Sequence, residues 1–346
     1  MSQRYRVALI GFGTVGQGLV EILRDRGSFL ADRFGIEVLV TAVCDFRVGS
    51  AYRASGFEPT ELLEAAAASA VGDLPADARG WDALTTIEKS NAEVVAEMSF
   101  TNLETGEPGL SHVRAALSGG RHVITTNKGP VALRFPELLD LARQNGVSIG
   151  VEGTVMSGTP TLALGTDLVA GAGVTSIEGI LNGTTNYILT RMEEGLGYED
   201  ALAEAQELGY AEADPTGDVD GHDAAGKVVI LANLVMGEPL TMSDVERTGI
   251  AGVTPADVAA AAEAGERWKL IGSVSTSEAG ATRAQVSPER VPHDHPLAAI
   301  GGAMNAVVFT TDLLGPVTLV GPGAGRLETG YALIGDLLAI HRRFGS

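Results

Sequence analysis

Short apolar runs alternate with longer stretches of helical period through the first half of the chain. Arg6–Ile10 is one such run, ending in Gly11-Phe-Gly-Thr-Val-Gly16, after which Leu19, Val20, Ile22 and Leu23 recur at helical spacing. Glu37–Cys44 reads as a second buried strand, ending at Asp45 and Arg47. The Ala-rich stretch from residue 50 to 90 predicts helices, Val94–Met98 a further strand and Ser99–Asn102 a loop. A helix over Ser111–Leu117 leads to a strand at His122–Thr125 and then to Thr126-Asn-Lys-Gly-Pro130. Strands and helices alternating in this way predict a parallel, doubly wound sheet.

Near Gly150 the character changes. A strand at Val147–Val151 is followed by the Gly/Thr/Ser-rich stretch Glu152–Thr161, and a strand at Ile177–Leu181 by Asn182-Gly-Thr-Thr-Asn186. Helices are expected over Asn186–Glu193 and Tyr198–Leu208, then an acidic loop from Gly209 to Asp220 and a helix from His222 to Met236. Thr254–Gly272 reads as more helix, Ala281–Phe309 as strand and turn, and Thr329–Arg342 as a terminal helix opened by Gly321-Pro-Gly-Ala-Gly325.

Composition narrows the class. With 45% apolar and 20% charged residues over 346 positions, the chain has the make-up of a folded protein of about two domains. Acidic residues number 44 against 24 basic ones, a net charge of −20, so no basic stripe for nucleic acid or an anionic membrane can form. The single cysteine, Cys44, excludes an intramolecular disulfide and fits a reducing compartment, and the chain opens without a targeting segment; the expected location is the cytoplasm. The uncharged stretches Gly153–Thr166 and Pro296–Thr311 carry Gly, Pro, Thr or Asn and fall short of a membrane span. Only Lys89, Lys128, Lys227 and Lys269 are lysines, the other 20 basic residues being arginines. A high-salt habitat and a GC-rich genome both account for that bias, and it makes each lysine worth locating.

Two segments carry chemistry. Gly11-x-Gly13-x-x-Gly16 lies between a strand and a helix, the context that a dinucleotide fingerprint requires. Gly11 allows the tight turn, Gly13 the approach of a pyrophosphate and Gly16 close helix packing, with the phosphates at the positive end of the helix. Asp45 as a partner of ribose hydroxyls favours NAD, and Arg47 as a partner of a 2′-phosphate favours NADP; both remain open. The second segment is Glu212-Ala-Asp214-Pro-Thr-Gly-Asp218-Val-Asp220-Gly-His222-Asp223-Ala-Ala-Gly-Lys227. Asp223 and Lys227 are four residues apart and share a helix face behind a carboxylate-rich loop suited to a substrate ammonium. An amine can be tuned for proton transfer, whereas a guanidinium cannot. A calcium loop is excluded, since the position of its final acid is occupied by Val229. His293-Asp-His295 lies between Pro292 and Pro296 with no third ligand nearby and reads as a loop.

With the fingerprint, Thr126-Asn-Lys128-Gly-Pro, Glu152-Gly-Thr-Val-Met-Ser-Gly-Thr-Pro160, Gly179–Ile188, Glu212–Lys227 and Gly321–Gly325 in this order, the chain resembles the homoserine dehydrogenases over most of its length. The resemblance implies a Rossmann-type doubly wound parallel sheet over residues 1–150, completed by 316–346, and an α+β catalytic and dimerisation domain over 151–315. It implies NAD(P)-dependent interconversion of L-homoserine and L-aspartate 4-semialdehyde, in threonine, methionine and isoleucine biosynthesis, by a homodimer. In that scheme Lys227 gives or takes the proton, Lys128 sits beside the nicotinamide and the reacting carbon, and Asp223 orients lysine and substrate. Glu212 and Asp218 bind homoserine, Phe12, Thr14, Val15, Thr101 and Gly323 line the cofactor cleft, and the terminal helix returns to the nucleotide domain. A monovalent cation, usually sodium in the family, is expected at Glu152, Val155, Ser157 and Thr159. The regulatory extension that many relatives carry is not expected. Two other readings stand beside this one: the same chemistry on another small amino or hydroxy acid, and a nucleotide-sensing regulator.

Overall fold

The near-continuous apolar runs of the first half are strands buried on both faces of one sheet, as parallel strands must be. In the computed structural model, which describes residues 2–277 and 279–345, they are β1 (Gln3–Ile10), β2 (Ile36–Asp45), β3 (Gly49–Phe57), β4 (Ala78–Arg79), β5 (Val94–Glu97), β6 (His122–Thr125) and β7 (Ile149–Gly150). Their order is β4-β3-β2-β1-β5-β6-β7. The five strands from β2 to β7 run parallel, and β3 and β4 add an antiparallel edge. β1 lies between β2 and β5, so the strand order reverses around it and a ligand site is expected at its C-terminal end.

β3 corrects the all-helical expectation for residues 50–90. Alanine favours helix, but the turn at Phe46 and Arg47 brings the chain back onto β2, and the antiparallel ladder outweighs local propensity. Helices do follow, at Pro59–Ala67 and Ala83–Lys89.

The chain divides by its contacts into two units, one running up to Gly158 and resuming at Gly325, the other Thr159–Ala324. Within the first, the terminal helix Arg326–Phe344 lies against the helix Thr14–Phe34. A Cβ on Gly18 would collide with the Arg326 carbonyl, and one on Gly330 would stand 2.6 Å from the Leu19 nitrogen. The two glycines thus let the helix backbones touch. Leu333, Ile334, Leu337, Leu338 and Ile340 then share one core with Leu19, Val20 and the apolar face of β1. Truncating such a buried leucine costs about 2–5 kcal/mol. Arg326 adds an ion pair to Glu21 at 2.8 Å.

The second unit holds a sheet of β8 (Val174–Ile180), β9 (Val245–Arg247), β10 (Glu266–Thr276), β11 (Thr282–Pro292), β12 (Met304–Thr311) and β13 (Gly315–Pro322), in the order β13-β12-β8-β10-β11-β9. Its ladders are antiparallel except β11 with β9. The helices Gly183–Glu193 and His222–Leu231 pack on this sheet. The expected helix over Thr254–Gly272 is real only for Pro255–Glu263. Gly265 then turns the chain at φ +76° and β10 begins. Pairing of β13 with β12 keeps residues 315–322 in the second unit, so the boundaries expected at 150 and 316 fall at 158 and 325.

Candidate functional site

In the first unit the glycine loop connects β1 to the helix Thr14–Phe34. Gly11 has φ +95°, and a Cβ there would stand 2.6 Å from the Met98 carbonyl oxygen. A Cβ on Gly16 would stand 2.9 Å from the Gly11 oxygen, whereas one on Gly13 would meet nothing within 4 Å. The first and third glycines therefore serve the fold, and the second leaves its surface open to a ligand. Gly13 caps the helix without a side-chain acceptor, so the first-turn N–H groups of Thr14, Val15 and Gly16 are offered together with the positive end of the dipole. Phe12 is completely buried: its ring lies in the core, its N–H is taken by Asp45 and its carbonyl by Gln17, so it does not line an open cleft as expected.

Asp45 does more here than was read from the sequence. Its Oδ2 accepts the Phe12 N–H at 2.8 Å, and its Oδ1 accepts the N–H groups of Arg47 at 2.7 Å and Val48 at 3.2 Å. The carboxylate ties the glycine loop to the end of β2. Arg47 stands over the exposed Phe46 ring, 5.2 Å from its centroid. Thr101 is exposed on the loop after β5, and Lys128, half-buried, is the first residue of the helix Lys128–Gln144, which Asn127 caps. A basic residue at that position runs against the usual preference for acids in a first turn.

In the second unit β8 ends at Ile180, and the next two residues reach into the acid–base cluster. Lys227 is 6% exposed, and its Nζ donates to the Leu181 carbonyl at 2.5 Å and to Asp223 Oδ2 at 2.7 Å. Asn182 Nδ2 donates to Asp223 Oδ2 at 3.0 Å and to Asp218 Oδ1 at 2.7 Å. Asn182 Oδ1 meanwhile accepts the Thr185 N–H at 2.9 Å, capping the helix Gly183–Glu193. One amide thus holds two carboxylates and a helix start. Burial, and then repulsion from Asp223, raise the Asp218 carboxyl above its ordinary value, against the lowering effect of the Asn182 bond. Glu212 is exposed on the loop leading to this cluster, its carbonyl accepting from Gln206 Nε2 at 3.0 Å.

Asn182 and the Leu181 carbonyl were missed from the sequence. An asparagine between an apolar run and a helical pattern is a capping signal, but nothing in its spacing announces the two carboxylates.

Glu152, Val155 and Ser157 lie on the loop after β7, where Met156 and Ser157 are consecutive left-handed residues at φ +56° and +57°. The terminal helix holds this loop: Asp336 accepts the Glu152 N–H at 3.2 Å, and Thr329 Oγ1 meets Ser157 Oγ at 2.8 Å. Thr159 and Gly323 belong to the second unit, where Thr159 Oγ1 donates to the Pro322 carbonyl at 3.0 Å and Gly323 lies over the buried Asn305 side chain. His293–His295 forms a turn, with His295 Nε2 3.0 Å from Glu178 Oε1. Among the described residues no cluster of three or more His, Cys, Asp or Glu side chains is placed to hold a metal ion. No helix among them is long and apolar enough to cross a membrane.

Residues 11–152 match the family model described as homoserine dehydrogenase, NAD binding domain, and residues 160–338 the one described as homoserine dehydrogenase. The chain is similar to an NAD(+)-dependent homoserine dehydrogenase of Pseudomonas canavaninivorans, at 45% identity over 98% of this chain and 96% of that one. A homoserine dehydrogenase of Methanocaldococcus jannaschii is 39% identical over 97% of this chain and 98% of its own. In structure the chain resembles a hyperthermophilic archaeal homoserine dehydrogenase mutant in complex with NADPH, with a TM-score of 0.84, 31% identity and 99% of each chain covered.

Proposed function

The chain belongs to the homoserine dehydrogenase family, and from that premise we propose how its residues divide the work. It catalyses the NAD(P)-linked interconversion of L-homoserine and L-aspartate 4-semialdehyde. A bound nicotinamide would supply the hydride chemistry, as acceptor from C4 of homoserine and donor to the aldehyde. In oxidation the Lys227 amine accepts the proton of the C4 hydroxyl as its O–H bond breaks. In reduction the Lys227 ammonium gives that proton to the carbonyl oxygen. Leu181 and Asp223 take two of the three N–H bonds of the ammonium, and the third is left for the oxygen on C4.

Asp223 fixes the amine, and Asn182 fixes Asp223. Asp218 and Glu212 receive the substrate ammonium, and Lys128 stands beside the reacting carbon. The two hydrogen bonds that hold the Lys227 Nζ carry this reading. The test is nicotinamide absorbance with homoserine as substrate: Lys227→Ala abolishes turnover while NADP still binds, and a near-normal kcat in that variant overturns it.

The open surface at Gly13 and the uncapped first turn fit a pyrophosphate. Asp45 already accepts three N–H groups, which leaves its carboxylate less to give a ribose, while the Arg47 guanidinium is suited to a 2′-phosphate. The chain accordingly uses NADP as well as NAD. Arg47→Ala raises KM for NADP roughly tenfold with little change for NAD, the size of one lost charged contact.

The oxygens of Glu152, Val155 and Ser157 would hold a monovalent cation. Two adjacent left-handed residues cost about 1–3 kcal/mol each, and strain of that kind clusters at ligand sites, which supports this reading. Equal ionic strengths of sodium and choline chloride then give different rates and different Tm. Exposed Leu313, Leu314 and Val320 around the edge strand β13 support pairing with a second copy, read as a dimer by light scattering. The lone Cys44 suits the cytoplasm.

A further inference from the structure

Glu97 closes β5 and is completely buried, in a position where an acid must be held on several sides to be tolerated. Its Oε1 accepts the backbone N–H of Ser99 at 3.1 Å and the Ser99 hydroxyl, and lies 3.2 Å from His112 Nδ1 on the helix Gly109–Ser118. Thr125, the last residue of β6, donates its hydroxyl to the Glu97 carbonyl at 2.8 Å, with Oε2 3.4 Å away. The Thr125 hydroxyl in turn accepts the Asn127 N–H at 3.0 Å. Asn127 Nδ2 returns to the Phe100 carbonyl at 3.2 Å and to the Ser99 oxygens at 3.4 Å, while its Oδ1 accepts the Gly129 N–H at 3.1 Å.

These bonds form a closed ring through Glu97, Ser99, Asn127 and Thr125. Lys128 sits between Asn127 and Gly129, both of which the ring holds by their backbone nitrogens. The loop that carries Thr101 is held by the same ring at Ser99 and Phe100. Core packing alone needs no ionisable side chain here, since an apolar residue of similar size closes a buried strand end at lower cost.

We propose that Glu97 is a positioning residue for the dehydrogenase reaction, acting through Lys128 and the 99–101 loop rather than on substrate. This rests on the role given above to Lys128. A displacement of about 1 Å at a reacting group is enough to lose roughly 100-fold in rate.

The experiment is a double-mutant cycle in the full chain, with kcat, both KM values and Tm measured for Glu97→Ala, Lys128→Ala and the pair. Glu97→Ala lowers kcat roughly 100-fold with KM for homoserine changed less than about threefold, and costs less than about threefold more once Lys128 is gone. Glu97→Gln, which keeps an acceptor toward Ser99 and His112, recovers most of the rate. Equal losses with and without Lys128, or an unchanged kcat in folded Glu97→Ala, overturn the proposal. The kcat of Lys128→Ala alone decides the role of Lys128, so the two failures are told apart. If Glu97→Ala does not fold, Thr125→Val cuts the same ring at nearly constant volume, and the same cycle applies.

Discussion

The two lysines given to chemistry are held in opposite ways. Lys227 is fixed by its own ammonium, gripped by a carbonyl and a carboxylate inside a helix-on-sheet core. Lys128 is fixed through its chain neighbours, whose backbone nitrogens are tied while its side chain leaves a helix start. A group that must exchange a proton needs its nitrogen placed to a few tenths of an ångström. A group that lines a reacting carbon is placed instead through the backbone that aims its stem. Of these two lysines, the acid–base role is proposed for the one whose charged atom is buried, and the helper role for the one held through its backbone.

Arginine at both positions tests that contrast most strongly. Lys227→Arg loses about 1,000-fold or more in kcat, because a planar fork cannot reproduce the two bonds and does not give up a proton near neutrality. Lys128→Arg keeps turnover within roughly 50-fold, since its helix start is unaltered. Equal losses at the two sites would break the comparison. Asn182→Ala comes next, with kcat/KM down about 100-fold: Asp218 and Asp223 then face each other without the shared amide, and Asp223 no longer points at Lys227. Steady-state kinetics with both substrates checks it, and a change confined to KM would show that Asn182 serves binding alone.

The smallest effect concerns pH. The Asp218 carboxyl is raised in the folded protein, so between its ordinary and its folded value the native state holds more protons than the unfolded one. Stability therefore falls as pH rises through that window and stays lower above it. Asp218→Asn removes the penalty, raising Tm by about 2 °C at pH 8 and leaving it unchanged near pH 3.5. A gain at acid pH instead would reverse the assigned sign.

Legibility from sequence follows the same division. The glycine loop could be read because each glycine answers a separate steric demand, as the Cβ positions at Gly11 and Gly16 make plain. Asp223 and Lys227 were readable because helical spacing places them together. Asn182 and Glu97 were not, since beside their local bonds to Thr185 and Ser99 they bind Asp218, Asp223 and Thr125, tens of residues away, which only the fold brings near. The strands β3 and β10 were read as helix for a related reason: ladder partners, absent from any local window, decided their form. Asp45 was identified, but as a ribose ligand alone, because its backbone donors become visible only once β1 and β2 lie side by side.

The docking of Arg326–Phe344 against Thr14–Phe34 has a consequence for synthesis. A ribosome releases the residues of the parallel sheet first, yet the core of that sheet includes Leu333, Ile334 and Leu337, which emerge only after the whole second unit. The nucleotide-binding half must wait, with one apolar face of its first helix uncovered, while the whole of Thr159–Ala324 is made. The first unit begun is thus the last to be finished, and its dinucleotide-binding fold is completed only after the second unit has been made.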